Sequence, residues 1–161
     1  ADQAHRQLLL HLFIIPLSRP FGCSFFVRDC LNERCQATFD VASIEFGENS
    51  FWVFQDIGYE IKCKLNNPVN ELEDRLVHEG WNCSPFPEAM VKEILSDTAF
   101  RREMYQLNNS TKSYWLYLDV DALRHGKKDD RMSAFQYSTP HYLVALYIPE
   151  DNVLYYLECS I

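Results

Sequence analysis

Eighteen residues near the end of the chain constrain its fold more than any other stretch. His141–Glu158 consists of two runs of β-branched and aromatic residues on either side of Pro149–Asn152, whose sequence is Pro-Glu-Asp-Asn. Such runs are typical of strands, and these four residue types favour turns. We therefore predict a C-terminal β-hairpin.

The length of the turn predicts the register of the hairpin. A four-residue turn pairs Ile148 with Val153, and counting back along both strands pairs Leu143 with Glu158. His141 then lies on the same face as Glu158 and diagonal to it, with roughly 7–8 Å between the backbones, which long side chains can span. The register therefore predicts a histidine–glutamate contact at the open end of the hairpin.

Three further strands are expected in the first half of the chain. The shortest is Phe51–Phe54, which follows a hairpin turn at Gly47–Ser50, and the other two have informative side-chain patterns. Near Ala42 and Ser43 the apolar positions change parity, which indicates a β-bulge. A second run has an apolar parity and a polar parity, which is typical of a strand with one face in solvent. The apolar positions of the first strand are Ala37, Phe39, Val41, Ile44 and Phe46. In the second strand Ile57, Tyr59, Ile61, Cys63 and Leu65 are apolar, and Glu60, Lys62 and Lys64 are polar.

A helical insertion is predicted between about Pro68 and Leu107. Asn67 is the expected cap of the first helix, and Asp97 is the expected cap of the third. Apolar residues recur at helical spacing in three groups. These groups are Val69, Leu72 and Leu76; then Met90, Val91, Ile94 and Leu95; then Phe100, Met104 and Leu107.

Extended structure returns after Ser113. Tyr114, Leu116, Leu118 and Val120 would face the core, and the alternate residues would face away from it. Strands, then helices, then strands indicate an α+β fold. We predict that residues 1–161 form a single α+β domain with a largely antiparallel sheet, a central insertion of two or three helices and a C-terminal β-hairpin.

Charge and composition exclude several classes of function. The net charge of −8 argues against binding to nucleic acid, which requires a surplus of Lys and Arg. No apolar run reaches the eighteen or so residues that a membrane span needs, so no membrane association is expected. Five glycines form no phosphate-binding loop, and the histidines show no ligand spacing, so we predict no cofactor and no metal.

The cysteines and sequons give conflicting indications of where the protein resides in the cell. An even count of six cysteines and sequons starting at Asn82, Asn108 and Asn109 are compatible with secretion. However, Cys63 and Cys159 fall on apolar strand faces, where a free thiol packs as a small apolar group. We expect reduced cysteines and favour a cytoplasmic protein over a secreted one.

One candidate chemistry is that of a cysteine hydrolase or acyl-transferase. Such an enzyme needs a thiolate, a base and an acceptor that orients the base. Cys23, between Gly22 and Ser24, is the candidate nucleophile, and His141 and Glu158 are the candidate base and acceptor. Asp151 is rejected as the acceptor because the hairpin places it on the order of 25 Å from His141.

Two metal-binding motifs are weaker candidates. Glu60-Ile61-Lys62 with Asp40 upstream has the form of a nuclease site. Asp119 and Asp121 share a strand face, which suits a divalent cation. Both patterns are short, and each is more simply explained by charged groups at the surface.

The leading functional prediction is recognition of another protein. Trp115, Tyr117, Asp119 and Asp121 share the strand parity opposite the core, and aromatic residues beside acids are typical of protein-binding surfaces. An acidic surface selects a basic partner. The protein would then be an inhibitor or an immunity-type neutraliser, with the cysteine hydrolase as the alternative. If helices cover this face, its aromatic residues belong to the core instead.

Overall fold

The computed structural model describes residues 31–35, 37–46, 51–53, 56–95, 98–120 and 141–160. One antiparallel sheet runs through them, and its strand order is β1-β3-β7-β6-β5-β4, with β2 also paired to β3. The strands are β1 (Val41–Phe46), β2 (Phe51–Val53), β3 (Asp56–Leu65), β4 (Asn82–Cys83), β5 (Tyr114–Asp119), β6 (His141–Ile148) and β7 (Val153–Ser160). The helices are α1 (Val69–His78), α2 (Glu88–Ile94) and α3 (Ala99–Ser110), and residues 31–35 form a short helical segment. The predicted α+β class, central helices and C-terminal hairpin are confirmed.

The hairpin of β6 and β7 has the predicted register, with Ile148 opposite Val153 and Leu143 opposite Glu158. Asn152 closes the turn with φ 52°, a left-handed conformation that Asn tolerates better than most residues. Its side-chain nitrogen Nδ2 donates to the backbone carbonyl oxygens of Leu65 and Asn67, both at 3.0 Å. The turn is therefore tied to the end of β3.

The bulge in β1 is confirmed between Val41 and Ser43, which pair with Leu65 and Lys64, respectively. The extra residue changes which side chains face the core, as the change in apolar parity predicted. Phe46 departs from the pattern, because 51% of its surface is exposed.

Two helix starts differ from the sequence prediction. Pro68 is the N-cap of α1, and no side chain caps it. The Asn67 side chain instead accepts from the amide of Asp40 at 2.7 Å and donates to the carbonyl of Thr38 at 3.2 Å. Asn67 therefore joins the strand entry to the helix start, a tertiary role that local sequence does not reveal.

The cap of α3 is Thr98, whose hydroxyl accepts from the amide of Arg101 at 3.2 Å. The same hydroxyl donates to the carboxylate of Glu60 at 2.8 Å. Asp97, the cap predicted from the sequence, lies outside the described residues. Thr98 thus caps the helix and also attaches it to β3.

Both faces of the sheet are covered, and this arrangement decides which residues reach solvent. We call them the α1 face, covered by α1 and the segment 31–35, and the α2–α3 face, covered by α2 and α3. The core on the α1 face includes Leu31, Leu72, Leu76, Leu116, Leu143, Tyr147, Leu154 and Tyr156. The core on the α2–α3 face includes Phe86, Met90, Met104, Trp115, Tyr117, Val144, Leu146 and Leu157.

The polar parity of β3 faces solvent only in part: Lys64 is exposed, as the sequence predicts, but Glu60 is buried and Lys62 is half-buried. Glu60 is only 2% exposed, because α3 packs over it and Thr98 and Arg101 supply polar partners. Lys62 is half-buried against the Tyr155 ring and contacts Glu103 at 3.3 Å. Glu60 and Lys62 therefore connect this strand to α3.

Candidate functional site

A buried pair of side chains lies at the open end of the β6–β7 hairpin. The ring nitrogen Nε2 of His141 lies 2.7 Å from Oε1 of Glu158. The two side chains are 4% and 5% exposed. His141 pairs with Ser160 and Glu158 pairs with Leu143, so the contact is the diagonal one that the register predicts.

Two further side chains hold the carboxylate of Glu158. The guanidinium of Arg34 lies 2.7 Å from Oε1, the same oxygen that contacts His141. The hydroxyl of Tyr156 donates to Oε2. Both oxygens of the carboxylate therefore have partners, which burial requires of a charged group.

These partners decide the charge of Glu158. Burial by itself raises the pKa of a carboxyl group, but the hydrogen bond from His141, the charge of Arg34 and the hydrogen bond from Tyr156 outweigh it. The net effect lowers the pKa of Glu158 below its ordinary value. Glu158 is thus a fixed carboxylate at neutral pH and serves as an acceptor for the imidazole of His141.

Tyr156 keeps its proton in this environment. Burial and the neighbouring charge of Glu158 raise the pKa of Tyr156 well above its usual value. Its hydroxyl is therefore a donor to the carboxylate at neutral pH. The cluster therefore contains one base, His141, whose orientation is set by a charged and fully partnered acceptor.

The thiols that the structure describes on this face are unsuited to nucleophilic attack. Burial, and next the charge of Glu158, raise the pKa of Cys35 far above its ordinary value. Burial raises the pKa of Cys63 to about 12. Both remain thiols at neutral pH, and only a thiolate attacks. Cys23, the nucleophile predicted from the sequence, lies outside the described residues.

The two aromatic residues of the predicted partner-binding face are buried, which corrects their expected exposure. Trp115 and Tyr117 are 3% and 2% exposed and belong to the core of the α2–α3 face. The Trp115 ring packs against Phe86 with ring centroids 5.6 Å apart, and its Nε1 donates to the carbonyl of Cys83 at 3.0 Å. The reason is that α2 and α3 cover this parity of β5. Asp119 is half-buried, and the fourth member of the set, Asp121, lies outside the described residues.

The predicted nuclease motif does not converge on a point. Asp40 lies beside the pairing of Val41 with Leu65, and Glu60 lies five residues farther along β3, about 17 Å away. The two carboxylates are too far apart to bind one ion. Within the described ranges, no group of three His, Cys, Asp or Glu side chains is placed to hold a metal.

Sequence reasoning missed two members of the cluster. Tyr156 lies two residues before Glu158 on the same strand face, so the alternation of β7 could have identified it. Arg34 lies more than 100 residues earlier on another element, and nothing in the local pattern connects it to the hairpin. Its place in the cluster depends on how the segment 31–35 packs on the sheet.

Comparisons with known proteins found no match among protein-family models, curated proteins or solved structures. Among the helices that the structure describes, none is long and apolar enough to cross a membrane.

Proposed function

We propose that the protein is a thiol-dependent hydrolase or acyl-transferase, with Cys23 as nucleophile, His141 as general base and Glu158 as the acceptor that orients the base. The observation that carries the proposal is the 2.7 Å contact between Nε2 of His141 and Oε1 of Glu158. A base fixed by an ionised acceptor is one of the parts that such an enzyme needs. The proposal takes the place of the aromatic partner-binding face, whose rings are buried.

The contact also bears on which ring nitrogen carries the proton. Because Glu158 is a carboxylate, Nε2 would carry a proton and donate it. As general base, the imidazole would take the proton from the thiol. The resulting thiolate attacks an acyl carbonyl carbon, and the leaving group receives the proton from the imidazolium. Water or another acceptor then cleaves the thioester, with His141 again acting as base.

Two of the thiols that the structure describes are unsuited to attack, and the choice of Cys23 comes from the sequence. Cys35 and Cys63 are buried and protonated, as described above. Cys23 lies in the sequence Gly22-Cys23-Ser24, where small neighbours allow a tight turn that exposes a nucleophile.

The test is the rate of Cys23 alkylation by iodoacetamide between pH 5 and pH 9, followed by peptide mass spectrometry. An unactivated thiol loses reactivity below its pKa of about 8.5. We expect Cys23 to stay reactive well below that value, and His141→Ala to slow alkylation at pH 6 by about tenfold or more. His78→Ala, at a side chain that is 87% exposed, is the matched control and should change nothing. A wild-type profile like that of an unactivated thiol would overturn the proposal.

Recognition of a basic partner protein is the second candidate. It is favoured by the net charge of −8 and by exposed carboxylates on both helical layers, including Glu71 and Asp74 on α1 and Glu88 on α2. Binding of this kind weakens with salt and with charge reversal. We expect a triple variant with Lys at these three positions to lose a partner that the Cys23→Ala variant retains. Equal capture by both variants would contradict this candidate.

A further inference from the structure

We infer that Arg34 is a specificity-determining residue of the His141–Glu158 site, where its guanidinium binds a carboxylate group of the substrate. The inference rests on the proposed function for the identity of that ligand, an acyl compound with a carboxylate close to its reactive carbon. Arg34 reaches the site from the segment 31–35, whereas His141 and Glu158 belong to the hairpin. The site is thus assembled from two parts of the fold.

Exposure separates Arg34 from the buried members of the cluster. Its side chain is 29% exposed, whereas the side chains of His141 and Glu158 are 4% and 5% exposed. Tyr156 is also buried. Tyr59 is half-buried and lies directly opposite Glu158 on β3, on the same face of the sheet. A ligand that approaches from solvent therefore meets the guanidinium before it meets the imidazole or the carboxylate.

The guanidinium has more donors than its described contact uses. Arginine presents five N–H donors in a planar fork, which suits a carboxylate that binds through both of its oxygens. Within the described part of the chain, the polar contact of this side chain joins Nη1 of Arg34 to Oε1 of Glu158 at 2.7 Å. The donors that point away from Glu158 are therefore suited to a second carboxylate, one that belongs to the ligand.

A shared oxygen sets the distance between this bound carboxylate and the base. Nη1 of Arg34 and Nε2 of His141 each lie 2.7 Å from Oε1 of Glu158. The two nitrogens are therefore within about twice that distance of each other. A carboxylate that accepts from the guanidinium adds about 3 Å. Only a few bonds would then separate the carboxylate of the substrate from the acyl carbon that is attacked beside the imidazole.

The experiment compares the alkylation of Cys23 by iodoacetate and by iodoacetamide at pH 7, followed by peptide mass spectrometry of the full-length protein. The same thiolate attacks both reagents, and only iodoacetate carries a carboxylate. The ratio of the two rates is therefore independent of the thiolate fraction, which is the quantity that tests the proposed function. We expect this ratio to be about fivefold or more higher at Cys23 than at the exposed Cys83.

Three variants test whether Arg34 causes this preference. Arg34→Gln keeps a hydrogen-bond donor but removes the charge, so it should lower the ratio at Cys23 to the ratio at Cys83. Arg34→Lys keeps the charge without the planar fork and should retain part of the preference. Arg102→Gln, at an exposed arginine of α3, is the matched control and should leave the ratio unchanged. An unchanged ratio in a folded Arg34→Gln variant would overturn the inference, because a merely structural arginine does not select the charge of a reagent.

A second measurement uses the wild-type protein and does not depend on Cys23. Sodium acetate is titrated at constant ionic strength into ¹⁵N-labelled protein, and NMR follows the side-chain Nε–H signals of the arginines. We expect the Arg34 signal to reach half of its shift at a concentration about fivefold or more below that for Arg102. Equal responses of the two signals would contradict a carboxylate site at Arg34. This titration provides the test if Arg34→Gln fails to fold.

The outcomes separate this inference from the proposed function. If Cys23 is activated by His141 but shows no preference for iodoacetate, the inference is overturned and the proposed function stands. If Arg34 binds acetate but Cys23 behaves as an ordinary thiol, the proposed function is overturned and Arg34 remains a carboxylate site. A preference for iodoacetate that depends on Arg34, at a Cys23 that His141 activates, supports both.

Discussion

Glu158 is a buried carboxylate with three polar partners, Arg34, His141 and Tyr156. It is buried, yet its pKa is lowered, because three neighbours stabilise the charged form more than burial disfavours it. A carboxyl group with a lower pKa in the folded state stabilises that state at pH values above its unfolded pKa. The stabilisation is lost as the pH falls through the folded pKa.

We predict that Glu158→Gln lowers the free energy of unfolding by about 3–5 kcal/mol at pH 7, because it leaves the charge of Arg34 and the ring of His141 without a carboxylate. The difference from wild type should shrink as the pH falls below the ordinary carboxyl pKa of about 4.5 and through the lower folded pKa, where the wild-type carboxylate also becomes protonated. Urea denaturation at several pH values measures both effects. Glu88→Gln, at an exposed i,i+4 pair with Lys92, should change stability by less than about 0.5 kcal/mol. A pH-independent difference for Glu158→Gln would contradict the assignment of charge.

The hairpin of β6 and β7 is the element on which the site depends, because its register sets the His141–Glu158 diagonal. Asn152 secures that register in two ways. It adopts the left-handed conformation that the turn requires, and its side chain bonds to Leu65, Asn67 and the hydroxyl of Tyr147. A shift by one residue would move every hairpin side chain to the other face.

We predict that Asn152→Ala lowers the free energy of unfolding by about 3 kcal/mol. The variant loses the side-chain hydrogen bonds, and alanine tolerates the left-handed conformation less well than asparagine does. Asn152→Gly should cost about 1 kcal/mol less, since glycine adopts this conformation freely. Chemical denaturation of the two variants measures the difference. Asp151→Ala, at an exposed neighbour in the same turn, is the control and should be close to neutral. Equal losses for Ala and Gly would show that backbone conformation does not matter here.

At the scale of the whole molecule, the sheet is a middle layer between two sets of helices. This layering explains why every residue of β6 is buried and why β5 has no exposed aromatic face. Side chains of both parities pack, so alternation alone does not separate inside from outside. The aromatic residues that resembled an interface are part of the second core.

We predict that Trp115→Ala lowers the free energy of unfolding by about 3–5 kcal/mol, as expected for loss of a large buried side chain. Tyr105→Ala, at a ring that is 38% exposed on α3, should cost less than about 1 kcal/mol. Thermal and urea denaturation distinguish the two. Near-neutral stability for Trp115→Ala would show that α2 and α3 do not cover this face as described.

The local sequence pattern predicted several parts of the fold correctly. The turn length of the hairpin, the parity change at the β1 bulge and the helical stripes containing Leu72, Met90 and Met104 all correspond to described elements. Each depends on neighbours in the same strand or helix, where spacing maps directly onto geometry. The His141–Glu158 contact belongs with them, since it follows from counting along two strands joined by a short turn.

Other features depended on distant parts of the chain. The Asn67 side chain does not cap α1 but bonds to the backbone at the entry of β1. Glu60 is buried under α3, and Trp115 belongs to the core of the α2–α3 face. In each case the deciding partner lies on another element, so the surrounding sequence is the same whether that partner is present or absent.

The sequence by itself determined the α+β class, the hairpin register and the diagonal approach of imidazole and carboxylate, because these follow from chain connectivity and side-chain alternation. Only the tertiary structure decided that helices cover both faces of the sheet, that the aromatic residues of β5 are core and that Arg34 joins Glu158. Packing between elements has no local signature, since it depends on which surfaces the whole chain removes from water.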